Sequence, residues 1–531
     1  FIYKHLISEQ RNNKPRRAMA IVTILACIAA FLYLIHIWWN KKKVDLPSPK
    51  GLPILGNLLQ FRTNRPDLKV TEWAKELGPI FKLHILNHLY VFVSDYKHIH
   101  EVLVTKGKQC GGRPSHYGNR SKYIWEYDTS VFVNNPGPQW KFLRNTLHTN
   151  VKMYDEGLKK VESVNMSVIS DLVCEFKSKG SQPFNPWEGV LNAVMNIICT
   201  FLVGRTFKST DEVFELFKMV ERETATCLGP GAEGSELDVL WCLRHFGTKS
   251  FKRLESIRDK RRKLWTIVKK DFDDRRSATK VGDEMQNFGL VGVMLSALEE
   301  AQKNNTALPG NVTEKNIMLT FHDLIFAGST TTTNTFYAFL KVIIQSPDIQ
   351  KSLQEEVDEV VGPDRMVQLT DKHNMPYCRA TILELLRYTS IVPLGVVHNA
   401  QEDLTIQGHT IPKDTPIITN TWGMHHDPLF WKDPFVFRPD RFLEDNGDVV
   451  PPDHENRKHL MPFGAGTRVC LGESFAIGRL FLLIATMAQM FEMKPGPVEE
   501  SIDARLFRTG AVISPSDFKM KFVVRNEKLF V

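Results

Sequence analysis

The stretch Phe463-Gly-Ala-Gly-Thr-Arg-Val-Cys-Leu-Gly472 sets one cysteine in a glycine-rich loop, two positions after an arginine. An apolar segment from about Glu473 to Phe491 follows at once and reads as a helix. Glycines 464, 466 and 472 let the backbone adopt positive φ and approach a flat ligand closely. A helix start aims unpaired N–H groups and partial positive charge at the Cys470 sulfur, which favours thiolate over thiol. A thiolate held this way suits haem iron as an axial ligand, and Arg468 has the shape and charge to pair with a haem propionate. The competing explanation is a structural cysteine ahead of a core helix, since free cysteine is among the most buried residue types.

Those residues need elements to position them. Glu314 to Gln345 reads as one helix of about 48 Å, started by Thr313 and stopped by Ser346-Pro347. Such a helix is long enough to cross a whole domain. Its middle, Ala327-Gly-Ser-Thr-Thr-Thr-Thr333, joins a glycine to poor helix formers. Hydroxyls there can bond back to carbonyls and loosen the ladder into a groove. In Thr381-Ile-Leu-Glu-Leu-Leu-Arg387, Glu384 and Arg387 stand at i,i+3 and can pair. Trp140-Lys-Phe-Leu-Arg144 puts an indole N–H and a guanidinium one turn apart, both suited to a carboxylate.

Phe-x-x-Gly-x-Arg-x-Cys-x-Gly, followed through the chain with these other stretches, resembles the haem loop of the cytochromes P450. The wording is that of the animal microsomal branch, which includes steroid 17α-hydroxylase-like and xenobiotic-oxidising enzymes. The resemblance implies a mainly α fold with a smaller β region, and haem b bound through its iron to Cys470. It implies that Phe463, Arg113, Trp140, Arg144, His398 and Arg468 surround the haem, the polar ones facing its propionates. It implies that Arg441 of Phe437-Arg-Pro-Asp-Arg-Phe442 joins Glu384 and Arg387 in a structural triad. Ala327 to Thr332 resembles the segment that frames the oxygen-binding groove, with Thr331 as the threonine that helps deliver protons. Here the chain departs from the family. Thr330 stands where an Asp or Glu is usual, and a hydroxyl relays a proton but stores no charge. Coupling to oxygen is then altered, or another acid takes over.

Length and composition fit one large catalytic domain behind an anchor. The chain has 531 residues, 43% hydrophobic, with no internal repeat or low-complexity linker beyond about residue 60. Its eight cysteines include no C-x-x-C pair, as expected of reduced thiols facing the cytosol. Sequons at Asn119, Asn165, Asn304 and Asn311 would then stay unglycosylated. Ala18 to Trp39 is an apolar run of about 33 Å as a helix, enough for a bilayer core of about 30 Å. Trp38 and Trp39 suit the interface, and Lys41-Lys42-Lys43 a cytosolic stop. The run is long for a signal peptide and its lysines do not suit a core helix. Positive residues Lys14, Arg16 and Arg17 flank the other end, and Met19 is the first methionine. The expected organisation is an N-terminal extension at 1–17 outside the native start, an N-terminal transmembrane helix at 18–40, a basic and proline-rich hinge at 41–58, and the catalytic domain at 59–531.

The resemblance implies a haem-thiolate monooxygenase that inserts one atom of O₂ into a steroid, fatty acid or xenobiotic. NADPH electrons would come through a membrane-bound reductase, with cytochrome b5 as a further partner. The place would be the endoplasmic reticulum membrane, with the domain facing the cytosol. Net charge of +8 favours anionic lipid and an acidic partner surface. Basic runs such as Arg258 to Lys263 lack the interleaved aromatics of a nucleic-acid site, so no nucleic acid is expected. Two other classes compete: a reductase-independent P450 that rearranges lipid peroxides, which Thr330 would suit, and a haem carrier without turnover.

Overall fold

The computed structural model describes residues 44–531, apart from 54, 62, 87, 115–118, 127–129, 134, 157, 229–233, 235, 240, 279–287, 498–502, 509, 528 and 530–531. The expected extension, the anchor and the lysines at 41–43 lie outside the described residues. Helices dominate: α1 Pro66–Leu77, α2 Pro138–Glu156, α3 Leu158–Ser178, α4 Trp187–Val203, α5 Glu212–Cys227, α6 Lys249–Ala278, α7 Gly289–Lys303, α8 Glu314–Ile343, α9 Pro347–Val360, α10 Pro376–Thr389 and α11 Glu473–Met490, besides shorter turns. The β content is small. Strands β1 Ile80–Ile85, β2 His88–Val93, β3 His398–Asn399 and β6 Pro416–Thr419 form one sheet in the order β1-β2-β6-β3. Two hairpin-like pairs stand apart, β4 Leu404–Ile406 with β5 His409–Ile411, and β7 Phe491–Pro495 with β8 Met520–Val524.

Helix α8 runs through the core, with Phe336 to Leu340 in one apolar cluster and Ile317, Leu319, Phe321 and Ile325 in another. Its start is fixed locally: Asn316 Oδ1 accepts the Thr313 N–H at 2.9 Å, one side of a capping box. Its hydroxyl-rich middle does bond back to carbonyls, Ser329 to Ile325 O at 2.5 Å and Thr331 to Ala327 O at 2.6 Å. The helix nevertheless continues unbroken to Ile343. Helix α11 is long and apolar enough to cross a membrane, but Gly478 to Met490 are buried, so it serves as a core helix here.

The large sheet positions the loop that precedes α2. His398 pairs with Ile417 in register, and its neighbour Asn399 bridges Gly111 and Gly112. A Cβ at Gly112 would sit 3.0 Å from the Asn399 carbonyl oxygen, so this close approach needs glycine. Arg113 is thereby delivered beside β3.

Candidate active site

The cysteine loop is built from two glycines and a few backbone bonds. Gly464 and Gly466 have φ of 68° and 67°, and a Cβ at Gly466 would collide with the Leu103 carbonyl. Gly472 departs from the expectation of positive φ. Its φ is −95°, because it serves as the N-cap of α11 and sends its N–H toward the Cys470 sulfur. The Cys470 N–H donates to Phe463 O at 2.9 Å, which closes the loop on itself. Cys470 is exposed although protein surrounds it closely, as fits a sulfur facing an internal hollow. Burial pushes its thiol up, against the Gly472 N–H and the positive charges of Arg144 and Arg479, which pull it down. The helix start alone therefore does not make a thiolate. A bound metal would, since a coordinating thiol is deprotonated outright.

Around this loop the predicted polar residues come together. Arg468 lies 4.4 Å over the Trp140 ring and donates Nε–H to Gly111 O at 2.8 Å. Arg144, also over that ring at 5.3 Å, donates to Val469 O at 2.8 Å. Arg113 donates to Val397 O at 2.8 Å, one residue before His398. The His398 Nδ1–H donates to Cys110 O at 3.0 Å. Burial first, then Arg113 and Arg468, push His398 down to about 3. Burial, then Arg113 and Arg144, push Arg468 down to about 9. Arg468 is disfavoured by the two guanidinium groups beside it, and an anion placed among them would relieve it. The Trp140 indole N–H is buried with no acceptor, a second sign that an oxygen-bearing group belongs there. A haem meets both demands, with its carboxylates among these donors and a thiolate for its iron.

On the other side, α8 presents one open stripe. Ala327 is exposed and Thr331 partly so, although most residues around them in the helix are buried. Arg479 Nη2 donates to Thr332 Oγ1 at 3.1 Å and thus ties α11, just after the cysteine, to this part of α8. Thr330 points elsewhere. It is buried and hydrogen-bonded to Oε1 of Glu221 on α5. Two turns earlier, Asp323 accepts from Trp125 Nε1 at 2.5 Å and Phe132 N at 2.9 Å, and burial pushes it up to about 6.

Glu384, Arg387 and Arg441 also meet. Arg387 grips the Glu384 carboxylate with Nε at 2.7 Å and Nη2 at 2.8 Å, both side chains fully buried. Arg441 Nε stands 3.4 Å from Glu384 Oε1. Sequence reading missed Arg479, Glu221 and Asp323. Arg479 lay in view, as an arginine inside an apolar helix. The other two become visible only through partners far away in sequence.

A cysteine loop tied to a long hydroxyl-bearing helix, with arginines gathered at its side, fits a haem-binding class of protein. The sequence model described as cytochrome P450 matches residues 46–522, and the chain belongs to that family. It is a P450 monooxygenase, and the family works with haem iron. The chain is 30% identical to a steroid 17-alpha-hydroxylase/17,20 lyase of Squalus acanthias, over 91% of each chain. It is 30% identical to cytochrome P450 2U1 of Homo sapiens, over 86% of this chain and 80% of that one. With cytochrome P450 2J5 of Mus musculus it shares 30% over 96% and 97%.

Proposed function

We propose that this chain is a membrane-anchored monooxygenase that hydroxylates a lipophilic small molecule, with Cys470 as the haem ligand. The observation that carries the site is the exposed Cys470 inside the protein, with Arg144 and Arg479 acting on its sulfur, Arg113 and Arg468 gathered beside Arg144, and an unpartnered Trp140 N–H. Haem bound there supplies the activation of O₂, one atom passing to substrate and the other to water.

The chain's own residues do the rest. The Gly472 N–H and two nearby guanidinium groups hold negative charge on the Cys470 sulfur. Trp140 and the arginines orient the cofactor through its carboxylates, and Phe463 O fixes the cysteine backbone. Thr331 keeps a hydroxyl at the open stripe of α8, anchored on Ala327 O, where it can hand on a proton. Glu384, Arg387 and Arg441 are structural, pinning α10 to the segment ahead of the cysteine loop.

Electrons come from NADPH through a reductase at the endoplasmic reticulum membrane, with cytochrome b5 as a second donor and the domain on the cytosolic side. Residues 18–40 form the anchor, 41–58 the hinge and 59–531 the catalytic domain. A steroid is the first substrate class to try, on the name of the Squalus relative, with fatty acids and foreign aromatics next.

The test is a pair of measurements. Reduced protein under carbon monoxide should show the red-shifted Soret band, and Cys470→Ala should lose it, because Cys110, Cys199 and Cys378 are buried where Cys470 is exposed, and none lies in a comparable loop. Retention of the band in Cys470→Ala overturns the ligand assignment. With purified reductase, NADPH consumption should be stimulated by a steroid, fatty acid or polycyclic aromatic that perturbs the Soret band. Product formed from a lipid peroxide without NADPH would favour rearrangement instead.

A further inference from the structure

In the basic run Arg258 to Lys263 on α6, Arg261 is the one buried residue, at 3% exposure. Its Cζ lies 4.5 Å over the Trp125 ring, and its Nη2 has no hydrogen-bond partner. Asp323 on α8 supports the guanidinium by its charge, while its oxygens accept from Trp125 Nε1 and the Phe132 N–H. The neighbour of that aspartate, His322, is buried as well. Its Nε2 lies 3.0 Å from Arg261 O, and a carbonyl only accepts, so Nε2 carries the ring proton. Burial, then the Arg261 charge, push this imidazole well below its usual range, so the ring is neutral and Nδ1 is a bare acceptor. Nδ1 has no partner either. Helices α6 and α8 thus bring together one unused donor and one unused acceptor, both buried, where unpaired polar groups are costly.

One hydroxyl group answers both needs. Its oxygen accepts from Arg261 Nη2 and its hydrogen goes to His322 Nδ1, whereas a ketone or an ether can meet only the arginine. Position along α8 adds a length. Asp323 lies one turn before Ala327, where the open stripe begins, and His322 lies nine residues before Thr331, roughly 14 Å along the helix. A molecule that reaches both ends needs a skeleton longer than a single ring. We propose that Arg261 and His322 receive a hydroxyl group at the end of the substrate remote from the carbon that is oxidised. The substrate class is then a long, largely apolar alcohol, preferred over the matching ketone. The proposal rests on the reading of the Thr331 stripe as the place of oxidation. His322 sets the specificity, because Arg261 donates to either kind of oxygen.

The test uses the haem-loaded full chain and probes that differ at one group: 3β-hydroxy-5α-androstan-17-one, its 3-ketone and its 3β-methyl ether. The comparison is repeated on a linear skeleton with 1-hexadecanol and its methyl ether. Binding is read twice, from the shift of the Soret band and from the rise in melting temperature. At least one alcohol should bind roughly tenfold more tightly than its ketone or ether. H322L should bring that alcohol down to the level of the ketone and leave the ketone unchanged, whereas R261M should weaken both. H322Q keeps a donor toward Arg261 O and an acceptor beside it, so it should restore most of the preference. If no alcohol of either skeleton outbinds its ether, water alone satisfies the pair and the proposal is overturned. A preference that survives in H322L overturns it as well. A Soret shift without preference sinks the pair and leaves the Thr331 reading intact. A preference seen in melting temperature with no Soret shift sinks the Thr331 reading on which the proposal stands. The wild-type comparison changes only the ligand, so it decides the matter even if H322L folds poorly.

Discussion

Arg479 donates Nη2–H to Thr332 Oγ1 at 3.1 Å, a bond between the helix that follows the cysteine loop and the helix that carries Thr331. The arginine is only 3% exposed, leaves Nη1 without a partner, and stacks 4.2 Å over the Phe475 ring. Burial pushes it down to about 9, and the charge acting against that is the Cys470 sulfur. A cation this poorly satisfied contributes little to folding, so its value lies in what it does to the sulfur.

Arg479→Met should therefore separate stability from ligation. Methionine fills similar space without a desolvated charge, so the stability change should stay within about 1 kcal/mol. The reduced carbon monoxide complex should shift in part from the red-shifted thiolate form to one absorbing at shorter wavelength. Urea unfolding and the carbon monoxide spectrum, measured on one preparation, check both halves. An unchanged spectrum would mean that Arg479 serves only the contact to Thr332.

The Glu384–Arg387 pair behaves oppositely. Arg387 also donates to His425 O at 2.8 Å and Pro434 O at 2.9 Å, and Glu384 accepts the Arg438 N–H at 2.9 Å. The pair is thus the knot of several loops at zero exposure. Glu384→Gln strands a buried guanidinium, which costs about 3 to 5 kcal/mol. The variant should yield little folded, haem-loaded protein, and removing both charges with E384Q/R387M should recover part of the yield. Equal yields of wild type and E384Q would show that the charge is dispensable.

What the sequence made legible follows physical range. Long helices with caps and breakers were readable: residues 314–345 were expected, and Glu314–Ile343 is found. The cysteine loop was readable because its glycines, arginine and cysteine are close neighbours. Gly472 was misread, since a glycine at an N-cap needs no positive φ, and the sequence does not say which way a glycine turns. Glu221 was out of reach. Its meaning comes from Thr330, 109 positions away, and from the packing of α5 on α8. Burial sets the direction of the Cys470 shift as well, and burial is a property of the assembled fold.

Membrane attachment gives a third prediction. Deleting residues 1–43 should move a large share of the protein from the membrane pellet to the soluble fraction while the haem spectrum stays unchanged. The cysteine loop and α8 lie far downstream, and Val44 and Leu46 already pack in the cluster around β2. Residual attachment is expected from exposed apolar side chains such as Leu52 and Leu59. Haem loss on truncation would show that the deleted segment supports the core.

The last prediction concerns acid. His425 is fully buried, and the Met461 backbone N–H donates to its Nε2 at 2.9 Å. Its Nδ1 meets Ser390 Oγ at 2.8 Å, so Nδ1 carries the single proton and the ring must be neutral. Burial, then Arg387 and His459, push it down to about 3. An unfolded histidine titrates near about 6.5. Between those values the unfolded chain takes up a proton that the folded chain refuses, so stability is full above about pH 6.5 and falls as pH drops toward about 3. At pH 5 the loss from this one imidazole is on the order of 2 kcal/mol. His425→Asn should be less stable than wild type at pH 7, yet lose less between pH 7 and pH 5. His322 and His398 are also pushed down and keep the same surroundings in both proteins, while His426 is lowered first by burial and Arg387 and only later by His425, so most of the difference in slope belongs to residue 425. Urea midpoints at the two pH values supply that difference, and parallel slopes would mean that His425 takes up no proton on unfolding. Met461 lies two residues before Phe463, so the same protonation should loosen the cysteine loop and release haem in the same pH window.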